Sequence, residues 1–245
     1  ERQISALEVQ GSTPCGRTIF NMINKILKSI YFYLYAFHNL IIKNTILKKK
    51  ETYADVQMDL IALKYLNIKN GFFVDVGCFH PSRLNNTYLM YLKGWRGINI
   101  DMNEISIKLF NLVRPGDTNI NCAVSEKEGE VSFYTKKELF MSASLKQSDE
   151  LKIIKKIQSK KLTNIINSSK FKSKPIDFLS VDCEGFDLEV IKTLDFKLYS
   201  PKLICIEIPN KNNEDLKTKD TYKYIIDKNY KMIFSNELNA MFAKN

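Results

Sequence analysis

Apolar and polar positions along the chain follow two different patterns. The first runs from Ile19 to Ile46, IFNMINKILKSIYFYLYAFHNLIIKNTI, where only Lys25, Lys28 and Lys43 carry charge. This spacing predicts a helix. Its charge-free part, Ser29 to Ile42, is shorter than the roughly 20 residues that cross a bilayer. From Val56 the pattern becomes one of strands alternating with helices. VQMDLIALKYL reads as an amphipathic helix, FFVDV (72–76) as a buried strand and NTYLMYLKG (86–94) as a helix ending at Gly94. GINID (97–101) is a second strand, a helix follows from Glu104 to Val113, and NINCAV (119–124) is a third strand. EVSFY (130–134) is a short extra strand, and in the lysine-rich stretch 146–174 the run DELKIIKKIQSKK (149–161) reads as helical. IDFLSVD (176–182) and KLICIEI (202–208) are the fourth and fifth strands, with a helix over 187–194 between them. A helix near 217–228 leads to YKMIF (230–234) and NAMFA (239–243).

Alternating strands and helices predict a parallel, doubly wound α/β sheet. The last two strands are joined by SNEL, too short for a crossover helix, so they pair as an antiparallel hairpin. Two Rossmann-like halves closed by such a hairpin are the layout of a class I methyltransferase. Three segments result: residues 1–18 as an irregular arm or expression remnant, 19–55 as an N-terminal helical extension, and 56–245 as the catalytic domain.

Composition changes this picture in two ways. The 245 residues carry a formal net charge of +10. That favours an anionic partner such as nucleic acid, a membrane surface or an acidic substrate, or else reflects a basic surface without a target. The five cysteines, Cys15, Cys78, Cys122, Cys183 and Cys205, are odd in number and show no CxxC spacing. A disulfide framework and a standard zinc site are therefore disfavoured, and a reducing, cytoplasmic setting is expected. For residues 19–50 two readings stay open. One is a helix packed on the catalytic domain or on a second subunit of a homo-oligomer. The other is a helix lying at the inner face of a membrane, with tyrosines and lysines at headgroup depth. His38 is read as a packing residue.

Ligands of such sheets sit beyond the carboxyl ends of the strands. FVDVGCFHP (73–81) has one glycine after its strand, not the G-x-G-x-x-G of a dinucleotide site, and no GK[ST] phosphate loop occurs. A phosphate-free cofactor fits better. S-adenosylmethionine carries a ribose, a sulfonium and an ammonium. Asp75 and the Gly77–Cys78 turn can meet the ammonium, and Asp101, followed by Met102, can accept both ribose hydroxyls. Asn121, Cys122, Ala123 and Val124 on the third strand can line the adenine.

FVDVGCFHPSRLNNTYLMYLKGWRGINIDMN, NCAVSEKEGEVSFY and the IDFLSVDCEGFDLEVIKTLDF stretch resemble FkbM-type methyltransferases from about Gly71 to Asn245. The resemblance implies an S-adenosylmethionine-dependent O-methyltransferase acting on a sugar hydroxyl of a glycan, nucleotide-linked sugar or glycosylated product. Cys78 departs from the family's usual small residue. The expected catalytic groups are Glu184, His80 and Asp182, with Asp182 also beside the cofactor. Asp182, Glu207 and Asn210 are a candidate Mg²⁺ set, as in related metal-dependent sugar methyltransferases. The lysine-rich 146–174 segment is expected to cover an anionic acceptor. Two alternatives remain: an RNA methyltransferase and a non-catalytic scaffold. The N/D-P-P-aromatic turn of base-amino methylases is replaced here by DCEG, so a nucleic-acid partner is disfavoured.

Overall fold

The computed structural model describes residues 14–43, 47, 49–135, 143–144 and 153–245. The chain divides into two compact units, 1–49 and 50–245. The first contains helix α1 (Pro14–Phe37), which runs into a π-helical turn, His38–Ile42. The helix starts earlier than the expected 19, with Pro14 at its first position, where a missing N–H costs nothing. Residues 14–18 therefore belong to the helix, while the rest of the expected arm lies outside the described residues.

The second unit is built on a seven-stranded sheet. Its strands are β1 (Phe72–Val76), β2 (Arg96–Asp101), β3 (Thr118–Asn121), β8 (Phe178–Val181), β9 (Leu203–Glu207), β10 (Tyr230–Ser235) and β11 (Asn239–Lys244). They lie in the order β10-β11-β9-β8-β1-β2-β3. All neighbours are parallel except at β11, which runs antiparallel to both β9 and β10. The hairpin expected from SNEL is thus present, and it inserts its second strand beside β9. All five residues of β1 are buried, as a strand covered on both faces requires.

Helices α2 (Met58–Leu66), α3 (Tyr88–Leu92), α4 (Glu104–Val113), α5 (Leu162–Asn167), α6 (Asp187–Lys192), α7 (Asn213–Thr218) and α8 (Asp220–Asp227) complete the unit. One core cluster joins Val74, Ile98, Leu179 and Ile204 to Ile165, Ile191 and Ile225; a second joins Phe73, Trp95, Phe178 and Met241 to Met58 and Ala62. The unit begins before the expected residue 56. Buried Asp59 accepts the Tyr53 N–H at 2.8 Å and the Thr52 hydroxyl, which fastens the 50s to α2.

The 149–161 run corrects the sequence reading. Residues 149–152 lie outside the described residues, but Ile153–Lys160 form a strand, β7, not a helix. It pairs antiparallel with β5 (Gly129–Thr135) and parallel with β4 (Ala123–Val124), and β6 (Ala143–Ser144) completes a second sheet in the order β4-β7-β5-β6. Ile157 and Ser159 are buried while Lys156, Gln158 and Lys160 are exposed, a period of two. Lysine and glutamine favour a helix only weakly, and seven-residue pairing with β5 overrides that preference. The expected third strand, 119–124, is shared between the two sheets, β3 in one and β4 in the other.

Candidate functional site

The end of β1 is held on both sides. The N–H groups of Gly77 and Cys78 donate to the Ile100 carbonyl at 2.9 and 3.2 Å, and the Asp182 N–H donates to the Val76 carbonyl at 3.0 Å. Gly77 has φ +76°, and a Cβ there would overlap the Asp182 carbonyl oxygen. Glycine is therefore required both for the left-handed turn and for the close approach of β8.

Over these strand ends lies a cavity of about 270 Å³. Val76, Ile100, Val124 and Val190 form apolar walls, Phe79 and Phe186 contribute aromatic ones, and Asp101, Asp182 and Glu184 bring three carboxylates. No Lys, Arg or His lines it among the described residues.

Asp101 is fixed before any ligand arrives. Its Oδ2 accepts the Phe79 N–H at 2.8 Å and its Oδ1 accepts the Asn103 N–H at 2.7 Å. Each oxygen retains a lone pair for a further donor. Burial pushes its carboxyl up to about 7, against the pull of those two N–H groups.

The turn after β8 is equally specified. Asp187, at the start of α6, accepts the Cys183 N–H at 2.9 Å and the Gly185 N–H at 3.1 Å. Glu184 and Gly185 both adopt left-handed backbone, φ +52° and +86°. A left-handed non-glycine residue is uncommon and costs on the order of 1 kcal/mol. The turn brings Asp182 and Glu184 to the cavity together. Desolvation pushes Asp182 up to about 7, and the charges of Glu207, Glu184, Asp75 and Asp101 add to the effect. Asp182 is exposed on the cavity side. Glu207 is raised to about 7 by desolvation and by Asp187 and Glu184, and Asp187 to about 6 by burial.

Of the residues singled out from sequence, Gly77, Asp101, Met102, Cys122, Val124, Asp182 and Glu184 line this cavity. Others lie behind it. Asp75 is buried, and its Oδ2 accepts the Thr87 hydroxyl at 2.7 Å and the Asn85 amide at 3.1 Å. Cys78 packs with Ile107 and Phe110. Asn121 donates through Nδ2 to the Asp101 and Met102 carbonyls, and Ala123 packs with Phe133 and Ile157. His80 is buried, and its Nδ1 accepts the Ser82 N–H at 3.2 Å. The geometry makes His80 a residue that shapes the loop.

Of the expected metal set, Asp182 lines the cavity and lies close enough to Glu207 for the two charges to act on each other. Asn210 turns its Nδ2 to the Ile208 and Asn236 carbonyls at 2.9 and 2.8 Å, pinning the β10–β11 turn. Among the described residues no group of three or more His, Cys, Asp or Glu side chains is arranged to hold a metal ion.

Arg114 was not singled out from sequence, yet it organises the rear of the site. It is completely buried. Nη1 donates to Thr87 Oγ1 at 2.8 Å, Nη2 to Asn85 Oδ1 at 2.6 Å, and Nε and Nη2 to the Pro81 carbonyl at 2.9 and 2.6 Å. Its charge lowers the Asp75 carboxyl, although burial leaves that group raised overall. Asp75, Asn85, Thr87 and Arg114 thus form one network that locks the 77–87 loop against β1.

This strand order, with a cavity beyond the ends of β1, β2 and β8, is the class I S-adenosylmethionine-dependent methyltransferase fold. The sequence profile of the Methyltransferase FkbM domain matches residues 75–232, and the chain belongs to that family. No curated protein matches the chain. Among solved structures, a TehB-like SAM-dependent methyltransferase from Corynebacterium glutamicum is 9% identical, covers 89% of this chain and 100% of its own, and gives a TM-score of 0.45. A 1,6-didemethyltoxoflavin-N1-methyltransferase from Burkholderia thailandensis, with S-adenosylhomocysteine bound, is 11% identical over 100% of this chain and 98% of its own, TM-score 0.44. An O-methyltransferase from Bacillus cereus in complex with S-adenosylhomocysteine is 9% identical over 87% and 91%, TM-score 0.44.

Proposed function

We propose that the protein is an O-methyltransferase that transfers the methyl of S-adenosylmethionine to a sugar hydroxyl of a glycan, nucleotide-linked sugar or glycosylated product. The donor in this reading is supported by the charge of the cavity, which among the described residues has three carboxylates, no cationic side chain and otherwise apolar walls; the sugar acceptor is supported by the resemblance to FkbM-type methyltransferases. Such a lining suits a donor that is cationic and lacks phosphate, and it repels a diphosphate.

When bound, S-adenosylmethionine supplies a methyl group already activated by its sulfonium. The chain's own task is then alignment and proton management. Asp101 holds the ribose through its two pre-oriented oxygens. The apolar walls, Ile100, Val124 and Val190, exclude water around the adenine. Asp182 takes the hydroxyl proton of the acceptor on a carboxylate oxygen, and its value of about 7 suits a base working near neutral pH. Glu184, at the same cavity, keeps that value high and orients the acceptor. The acidic lining favours a neutral or amino sugar at the reacting hydroxyl. Any anionic part of the acceptor would lie outside the cavity, toward the exposed lysines of β7.

Incubating the protein with methyl-labelled S-adenosylmethionine and a panel of sugars, nucleotide-linked sugars, surface glycans and RNA tests the reading. Label is expected on a sugar hydroxyl as an alkali-stable methyl ether. Label on RNA alone would replace this proposal with the nucleic-acid one, and binding of the donor without transfer to any acceptor class would favour the scaffold.

A further inference from the structure

The apolar face of α1 is unaccounted for by methyl transfer. At 100° per residue, every residue from 19 to 37 that falls on one arc of roughly 180° is apolar. Phe20, Ile23, Leu27, Ile30, Leu34 and Phe37 form the centre of that arc, and each is at least 47% exposed. The other half carries Asn21, Asn24, Lys25, Lys28 and Ser29. A contiguous exposed apolar face of this size marks a surface that something covers.

Charge decides what covers it. Between residues 14 and 50 the sequence holds Arg17, Lys25, Lys28, Lys43, Lys48, Lys49 and Lys50, and no Asp or Glu. We infer that α1 lies in the plane of an anionic lipid surface, with its apolar face among the acyl chains and its lysines facing the headgroup layer. Basic amphipathic helices with large apolar residues opposite their lysines bind in this way. No helix among the described residues is long and apolar enough to cross a membrane, so the helix lies on the surface and does not span it.

A second copy of the chain is the rival occupant. Positions 20, 23, 27, 30, 34 and 37 follow the three-four spacing of a coiled-coil seam. Two features disfavour a helix pair. A seam is narrower than a half-cylinder, and the flanking positions here hold Ile19, Ile26, Tyr31 and Tyr33 where charged partners would be expected. Pairing two copies would also bring together like charges with no acidic residue to offset them. An anionic leaflet attracts the same charges instead. Tyr31 and Tyr33, at 53% and 61% exposure, suit the interface, where one end of the ring is apolar and the other wet.

The test is co-sedimentation of the full chain with phosphatidylcholine vesicles, with and without phosphatidylserine, at physiological salt. Binding to the anionic vesicles should be stronger by roughly tenfold or more, and should weaken as salt rises. Leu27→Glu should reduce it to background, and Lys25→Glu with Lys28→Glu should abolish the preference for the anionic vesicles. Thermal melting and S-adenosylhomocysteine affinity of these variants should stay at wild-type values, because the substitutions lie outside the catalytic unit. Absence of binding to both vesicle types, or equal binding to both, would overturn the inference. Light scattering that finds a dimer which Leu27→Glu dissociates, with no vesicle binding, would assign the face to a second copy.

Discussion

Asp182→Asn is expected to lower methyl transfer by roughly 10²–10⁴-fold, the usual contribution of a positioned general base. Asparagine keeps the shape of the side chain but cannot take a proton. Affinity for S-adenosylhomocysteine should stay within a few-fold of wild type, because that ligand lacks the acceptor hydroxyl that Asp182 deprotonates and its ribose hydroxyls are held by Asp101. The pH profile adds an independent check. Desolvation and the surrounding carboxylates raise Asp182 to about 7. The active, ionised form therefore accumulates as pH rises through about 7, and the wild-type rate should rise across that range and level off above it. Glu184→Gln should act through Asp182. Removing its charge lowers the value at Asp182, so the midpoint of the rate profile should move to lower pH while much of the plateau rate survives. If Glu184→Gln loses the plateau rate and Asp182→Asn keeps it, the base is Glu184.

The second large effect is on stability. Arg114→Ala should destabilise the protein by about 3–5 kcal/mol, since removing one partner from a buried charged network leaves the other unsatisfied. Here the buried Pro81 carbonyl loses both of its Arg114 donors and Asn85 Oδ1 loses one donor, while buried Asp75 keeps its Thr87 and Asn85 hydrogen bonds but loses the nearby positive charge. Arg114→Lys should rescue little, because one ammonium cannot reproduce the fork that reaches Pro81, Asn85 and Thr87 at once. Denaturant unfolding of both variants measures this directly. Near-wild-type stability in Arg114→Ala would mean that the network is ornamental.

The arrangement of the sheet was legible from the sequence because its signals are local. A buried run such as FFVDV admits few readings, and SNEL is too short for anything but a hairpin. Asp101 was legible for the same reason: a lone carboxylate ends a strand next to the D-x-G turn. The β7 strand was not, because KIIKKIQSK carries helix-forming residues and the alternation that matters is set by β5, a strand distant in sequence with which it pairs from Gly129↔Ser159 to Thr135↔Ile153. Arg114 was hidden in another way. In LVRPGD it reads as a basic residue ending a helix, and nothing nearby reveals that its partners are Pro81, Asn85 and Thr87. The same network explains why Asp75 looked like a ligand-facing carboxylate. A strand-end Asp before Gly satisfies the cofactor pattern, yet the side chain turns inward to Thr87. Phe79 and Phe186 were missed as cavity residues because an aromatic in a turn carries no distinctive spacing.

The central claim is that the cavity over β1, β2 and β8 holds the methyl donor through Asp101. Titration calorimetry of S-adenosylhomocysteine into wild type and Asp101→Ala tests it most directly. The wild-type protein should bind one ligand per chain. Asp101→Ala should bind at least tenfold more weakly, since charge-assisted hydrogen bonds to the ribose contribute roughly 1.5–3 kcal/mol. Asp101→Asn, which keeps acceptor capacity on one oxygen only, should fall between them, with all three proteins melting cooperatively. Equal affinity in wild type and Asp101→Ala, or no binding by a folded wild-type protein, would contradict the account.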